Sequence, residues 1–304
     1  MSSITVTVLG STAGVPTRER GHTAIYLRHE SSSAFSCLFD CGEGTQRQML
    51  KAGIGINSVD MIFVTHWHGD HCLGIPGIID TMGFEGRERP LVVYGPKARK
   101  MLSRSGLLIS RSKFKVIVRD VPYRGKKITE IFQTPYITLL SAPVCHGLPA
   151  VCYAFRENDR LSIDIEKAVS AGFRENDRML GVLREKGSCV VQGKRVKLED
   201  VSNVVKGRKV VFSGDTEICG TLREMARGAD LLIQDCTYLE FPGENRPHCH
   251  ASLPEIVEMT GGLDVKKVLL THFSRKYSDS GVVRGAVEKY DGFQAAEDLC
   301  VVEV

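Results

Sequence analysis

Apolar residues alternate with polar ones, or form short runs closed by turn-forming residues, at Ile4 to Leu9, Ala24 to Leu27, Cys37 to Phe39, Met61 to Val64, Leu91 to Tyr94 and Phe114 to Val118. Such runs, rich in β-branched and aromatic side chains, predict short strands, so the first half of the chain reads as β-rich. Apolar spacing near 3.6 residues predicts helices over Gly44 to Ala52, Ile75 to Met82, Lys97 to Ser105, Thr221 to Gly228 and Leu253 to Thr260. Three more strands, Val210 to Phe212, Leu231 to Gln234 and Val268 to Leu270, each run into a polar residue capable of chemistry. Placement at strand ends is how α/β folds present reactive groups.

The stretch 156–209 breaks this pattern. It is charged, lacks long apolar runs and is punctuated by Gly172, Gly181, Gly187 and Gly193, which predicts a charged arm inserted in, and protruding from, a single domain of residues 1–304. Within it the hexapeptide Phe155 to Arg160 recurs at Phe173 to Arg178; a single echo does not make a structural repeat, and chance explains it. The chain is 304 residues long, 42% hydrophobic and 25% charged, values of a soluble globular protein that argue against a disordered or fibrous one. No apolar run approaches the ~18 residues that span a bilayer, and no basic start leads into an apolar segment. The expectation is a cytoplasmic protein without membrane contact. Ten scattered cysteines with no CxxC spacing argue against a zinc ribbon or a disulfide framework and read as mostly buried, reduced thiols.

The net charge of +4 conceals a local excess. Between Lys97 and Lys127 stand eleven basic residues and one acid, Asp120. A surface that meets phosphates carries such a footprint; a solvated basic face without a partner is the competing reading.

The strongest chemical signal is Thr65-His66-Trp67-His68-Gly69-Asp70-His71, directly after an apolar strand. Three imidazoles and a carboxylate this close are hard to explain as packing, because each would need its own buried partner. They are the ligand types of a zinc ion. In a tight loop His66 and His68 face one ion while Asp70 and His71 turn toward a second. One loop cannot complete two coordination shells, and three groups elsewhere are candidates to do so: His146 in a Gly-bounded loop, Asp215 in Ser213-Gly214-Asp215-Thr216, and His272 in Thr271-His272-Phe273.

This loop, followed by a single histidine, a Gly-Asp-Thr and a final histidine, resembles the metallo-β-lactamase superfamily. Other motifs narrow the resemblance to the ribonuclease Z family of tRNA 3′-processing endonucleases. Gly10 to Gly14, with Pro16-Thr17-Arg18-Glu19-Arg20 after it, is similar to that family's glycine-rich opening and Pro-x-Lys-x-Arg. Asp40 to Gln46 reads Asp-Cys-Gly-Glu-Gly-Thr-Gln, Cys72 to Gly77 continues the histidine loop, and His272-Phe273-Ser274 with Tyr277 closes the set. The likeness runs from about Val8 to Tyr277. Arg18 stands where the family usually has Lys and Gly21 where it has Asn; the basic residues Arg275-Lys276 are displaced, and the family arm's Gly-Pro-rich signature is absent around Gly172 to Leu180.

The resemblance implies an α/β fold, the four-layer αβ/βα metallo-β-lactamase sandwich, and two zinc ions per subunit. It assigns His66, His68 and His146 to one ion, Asp70, His71 and His272 to the other, and Asp215 to both. His250-Ala251-Ser252 matches the family's His-Ser-Thr-like loop and makes His250 the catalytic acid, with His248 as competitor. Arg18 and Arg20 are the implied RNA contacts, precursor tRNA the substrate, and a homodimer the assembly. Two adjacent ions lower the pKa of a shared water and stabilise charge on a phosphodiester under in-line attack. Asp70 would hold the attacking hydroxide and His250 protonate the departing ribose 3′-oxygen, leaving a 3′-hydroxyl on the tRNA. Asp40 reads either as the partner that orients a ligand histidine or as a turn or helix cap.

Three functions compete: a zinc-dependent endoribonuclease, a small-molecule phosphodiesterase or arylsulfatase-like hydrolase, and a metal-bearing protein that binds RNA uncut. Fold does not separate them. All seven ligand positions are present, against the third, and a long charged insertion serves a small substrate poorly, against the second. The endonuclease is the reading taken.

Overall fold

The computed structural model describes residues 2–32, 34–104, 112–241, 249–277 and 279–304. In chain order the strands are β1 (Ser3–Gly10), β2 (Ala24–Glu30), β3 (Ala34–Phe39), β4 (Met61–Phe63), β5 (Leu91–Gly95), β6 (Val116–Asp120), β7 (Thr129–Gln133), β8 (Ile137–Pro143), β9 (Val151–Glu157), β10 (Arg160–Ile163), β11 (Ser188–Val191), β12 (Lys194–Lys197), β13 (Ser202–Val205), β14 (Lys209–Phe212), β15 (Leu231–Asp235), β16 (Val268–Thr271), β17 (Phe293–Ala295) and β18 (Val301–Glu303). The helices are α1 (Thr45–Lys51), α2 (Gly69–Cys72), α3 (Ile75–Phe84), α4 (Ala98–Arg104), α5 (Ile165–Ser170), α6 (Arg178–Lys186), α7 (Gly220–Ala226), α8 (Leu253–Thr260) and α9 (Ser280–Val287). None is long and apolar enough to cross a membrane.

Two compact units emerge from packing. The larger comprises Met1–Phe132, Leu139–Phe155 and Lys209–Val304. It carries two seven-stranded sheets, ordered β18-β1-β2-β3-β4-β5-β6 and β17-β16-β15-β14-β9-β8-β7. Period-two alternation assigns each strand residue to one of two faces. Leu38, Ile62, Val64 and Val93 pack with Met49 of α1 and Ile75, Ile78 and Met82 of α3. Cys152, Ala154, Val211, Leu232 and Leu270 pack with Leu222 of α7, Ile256 of α8 and Val283 of α9. The intervening residues meet between the sheets: Phe39 lies 5.7 Å from Phe212 and Phe63 5.3 Å from Tyr153, ring centre to ring centre. Helices, sheet, sheet and helices form four layers, the architecture the resemblance implies.

The smaller unit, Gln133–Thr138 with Arg156–Arg208, has its own core of Ile163, Ala168, Phe173, Leu183, Cys189, Val191, Val196 and Val201. Its strands are four residues long and bury few side chains each, which is why no long apolar run marks them. Asp164 and Asp177 cap α5 and α6 by accepting backbone N–H groups. The repeated hexapeptide adopts two conformations. Phe155 to Arg160 ends β9 and opens β10, whereas Phe173 to Arg178 is the connection into α6. The echo is not a structural repeat.

Several boundaries differ from the sequence reading. The strand predicted at Phe114 to Val118 is β6, displaced by two residues, and Ser105 of the predicted helix from Lys97 lies outside the described residues. The segment Tyr290 to Val304, without a sequence signal, supplies β17 and β18. All ten cysteines are free, but only five are buried and Cys145 is exposed.

Candidate metal centre

β3, β4, β5 and β6 run parallel, as do β14, β15, β16 and β17. Parallel strands put all their C-terminal ends on one side, and the chemistry-bearing residues gather there: Asp40 after β3, His66 to His71 after β4, Asp215 after β14, Asp235 ending β15 and His272 after β16. The turns are tight. A Cβ on Gly42 would lie 2.3 Å from the Asp70 carbonyl oxygen, and one on Gly214 2.7 Å from the Thr65 side chain, so neither position admits a larger residue without moving a site loop. Asp40 and His272 themselves hold positive φ, 58° and 60°, a conformation that costs a non-glycine residue about 1–2 kcal/mol and that the site retains.

The structure brings all seven expected ligands together. His66, His68, His146 and Asp215 offer atoms within 4.8 Å of one another, and so do Asp70, His71 and His272. Asp215 lies between the groups: its Oδ2 is 3.6 Å from His66 Nε2, 3.2 Å from His71 Nε2 and 3.2 Å from His272 Nε2. Asp70 Oδ2 is 3.5 Å from His71 Nε2 and 3.6 Å from His272 Nε2.

A surrounding layer fixes these rings. Asp40, fully buried, accepts from Thr65 N–H at 2.7 Å and from its hydroxyl at 2.8 Å, and meets His71 Nδ1 at 2.7 Å. A carboxylate only accepts, so the His71 proton lies on Nδ1 and Nε2 faces the site. Thr65 Oγ1 stands 3.1 Å from His66 Nδ1, the Cys249 carbonyl 3.0 Å from His146 Nδ1, and Thr237 Oγ1 3.0 Å from His272 Nδ1. Gly14 N–H donates to Asp70 Oδ2 at 2.8 Å.

The buried Nε2 atoms of His71 and His272 form no hydrogen bond, despite the carboxylate nearby. Lone pairs converging with nothing between them are the donor set of a cation. Charge agrees. Burial opposes ionisation of Asp215 and Asp70, yet the neighbouring histidines outweigh it and hold both well below the usual carboxylate range. Burial likewise opposes a charge on His272, but Asp215, Asp235 and Asp70 raise its pKa to about 10. His66, shielded by burial and repelled by His71, is pushed well below the ordinary imidazole value. The carboxylates demand positive charge here, and bound metal would supply it in place of protons.

A cleft of about 510 Å³ opens over this centre, lined by Gly14, His22, His68, Asp70, His250 and His272 among others. A larger cleft, about 600 Å³ beside Lys266 and Arg284, contains no metal-ligating cluster among the described residues. His250 stacks 5.3 Å from His272 and lies 5.3 Å from His146, its Nδ1 held 2.9 Å from Asp235 Oδ2. Burial works against its charge, and the Asp235 carboxylate overcomes this and raises its pKa. Asp215, Asp235, His250 and His272 also lie close enough to share an ion. Asp235, however, is already occupied by Thr237 N–H and hydroxyl, Thr216 N–H and His250, so the pair is better read as a supported imidazole beside the ion sites.

Asp235 escaped the sequence reading by one position, since the predicted strand stops at Gln234. His22 escaped it too; it lines the cleft, and neither ring nitrogen has a hydrogen-bond partner. His248 lies outside the described residues. Arg18 is exposed, but Arg20 is 4% exposed and corrects the expectation of an RNA contact: its guanidinium donates to Ser11 Oγ and the Ala296 carbonyl and lies over the Phe273 ring. It braces the loop that carries Gly14.

A family model described as anti-Pycsar protein Apyc1 matches residues 4–113. The human tRNase Z, short form, has a TM-score of 0.69 at 22% identity, with 98% of each chain covered, and the metallo-β-lactamase fold protein YhfI of Bacillus subtilis a TM-score of 0.65 at 18% identity, covering 99% of this chain and all of the other. Both establish the fold. Ribonuclease Z of Methanothermobacter thermautotrophicus is 38% identical, covering 98% of this chain and 96% of its own length. Ribonuclease Z of Thermococcus kodakarensis is 36% identical over 92% and 87%. Identity at this level along almost the entire length of both partners leaves one conclusion: the chain belongs to the ribonuclease Z family.

Proposed function

We propose that the chain is an endoribonuclease that removes 3′ trailers from precursor tRNA, with His66, His68, His146 and Asp215 holding one zinc ion and Asp70, His71, His272 and the same Asp215 a second. The observation that carries this reading is Asp215 Oδ2 set within 3.6 Å of three imidazole nitrogens from both ligand groups. Imidazole-rich sets with one or two carboxylates suit zinc among the common divalent metals. When bound, the ions supply positive charge to the phosphodiester and lower the pKa of water at the site.

The chain's own groups do the rest. Asp70, anchored by Gly14 N–H, holds and orients the attacking water. His250 has Nδ1 committed to Asp235, which leaves Nε2 to deliver a proton to the departing ribose 3′-oxygen. Residues 156–209 are read as an arm that meets tRNA outside the site, and a homodimer as the assembly that pairs one subunit's arm with the other's site.

Purified protein incubated with precursor tRNA bearing a short trailer tests the reading. Cleavage that chelator abolishes, beside the discriminator nucleotide and leaving a 3′-hydroxyl, is the expected result. Intact RNA alongside hydrolysis of a small phosphodiester would keep the metal centre and discard the tRNA assignment.

Asp40→Asn should weaken zinc binding by about 10–100-fold, the usual effect of losing a carboxylate behind a ligand histidine. The asparagine keeps size and tolerates positive φ but loses the charge that fixes the His71 proton on Nδ1. Competition with a chromophoric chelator reads the affinity, and an unchanged value would reduce Asp40 to a turn residue.

A further inference from the structure

We propose that Lys97, Tyr123 and Arg124 form a docking site on the rim of the metal centre for the single-stranded 3′ trailer of the substrate. This rests on the reading of the chain as a trailer-removing endonuclease. β4, β5 and β6 are adjacent and parallel, so the loops at their C-terminal ends line up along one edge of the site. The first is the histidine loop, the second is Pro96-Lys97, and the third carries Val121 to Lys127. At about 4.8 Å per strand, the end of β6 stands about 10 Å from that of β4. A trailer of a few nucleotides covers that distance.

Trp67 joins the first two loops. It sits between the ligands His66 and His68, and its Nε1–H donates to the Pro96 carbonyl at 2.6 Å. The residue after Pro96 is Lys97, whose ammonium lies 5.0 Å from the centre of the Tyr123 ring; the Arg124 guanidinium lies 5.5 Å from the same ring. Tyr123 is half-buried, while Arg124, Lys126 and Lys127 are exposed. Among the described residues none of Lys97, Arg124, Lys126 and Lys127 pairs with a carboxylate. An aromatic face flanked by unpaired cations is the arrangement that holds single-stranded nucleic acid, bases stacking on the ring and phosphates meeting the charges. A purely solvated basic face has no need of a rigid tie to the ligand loop.

The test compares two precursors of one tRNA, with trailers of one nucleotide and of about fifteen, on the intact enzyme and on the Lys97→Glu/Arg124→Glu variant. Arg124→Glu alone, on an exposed bend, serves as a control that does not threaten folding, and Arg124→Lys should restore most of the effect. The expected result is a KM for the long-trailer precursor raised about 10-fold, kcat within about 2-fold of the parent, and the one-nucleotide precursor unaffected. The salt dependence of long-trailer binding should also flatten by about 1.4 in log–log slope, two contacts at roughly 0.7 each. Equal losses on both precursors would place these residues under the tRNA body and overturn the proposal, as would no loss on either. Failure of the parent enzyme to cut either precursor would overturn the tRNA reading itself and this proposal with it.

Discussion

Asp215→Ala is expected to empty the metal centre and to lower precursor cleavage by at least about 10³-fold, because the charge stabilisation lost amounts to several kcal/mol. Among the described residues no other carboxylate oxygen stands as close to three of the proposed ligand nitrogens, at 3.2, 3.2 and 3.6 Å. Removing it takes a ligand from both groups at once and leaves His71 and His272, both buried, facing each other without the negative charge that separates them. Elemental analysis of the purified variant should show bound metal falling far below that of the parent. Full metal content with full activity would end the assignment of Asp215 to both ions, and loss of one equivalent only would confine it to one.

His250→Ala is expected to slow cleavage by about 10²–10⁴-fold, the range of general acid catalysis, with metal content intact. The two readouts separate a proton donor from a ligand, which matters because His250 lies within ligand distance of Asp215 and His272. Asp235→Asn supplies the companion observation. The Asp235 carboxylate raises the His250 pKa, so losing its charge lowers it. A donor must be protonated to act, and the rate therefore falls as pH rises through its pKa. In Asp235→Asn this alkaline fall should begin at lower pH than in the parent. Metal loss in His250→Ala, or an alkaline limb unmoved in Asp235→Asn, would take the proton-donor role away from His250.

The candidate ligands that gather at the site were legible in the sequence because their chemistry is local. Three histidines and an aspartate in six positions have few structural explanations, and His146, Asp215 and His272 each stand beside a glycine or at a strand end. Asp235 was not legible, since a single aspartate closing an apolar strand is indistinguishable from a cap until His250 is placed 2.9 Å from it. Arg20 misled because the resemblance alone placed it on the RNA, and only the C-terminal segment, through Ala296 and Asp298, shows why the loop is pinned. Ser11 hydroxyl, Gly21 N–H and Gln48 amide all donate to that one carboxylate, Asp298. The smaller unit was legible as different but not as folded, because its core is assembled from single apolar residues scattered over short elements.

The proposed ligands come from the strand ends of two separate sheets, His66 and His71 from one, Asp215 and His272 from the other. Ions held there would staple the two halves of the larger unit together, and a ligand that binds only the folded state adds about 4 kcal/mol of stability at a thousandfold excess over its dissociation constant. On the proposed assignment, the survival of the folded chain would then depend on the free metal concentration around it. A cell short of metal would first lose the enzyme's activity and then, as proteases find the loosened halves, the protein itself.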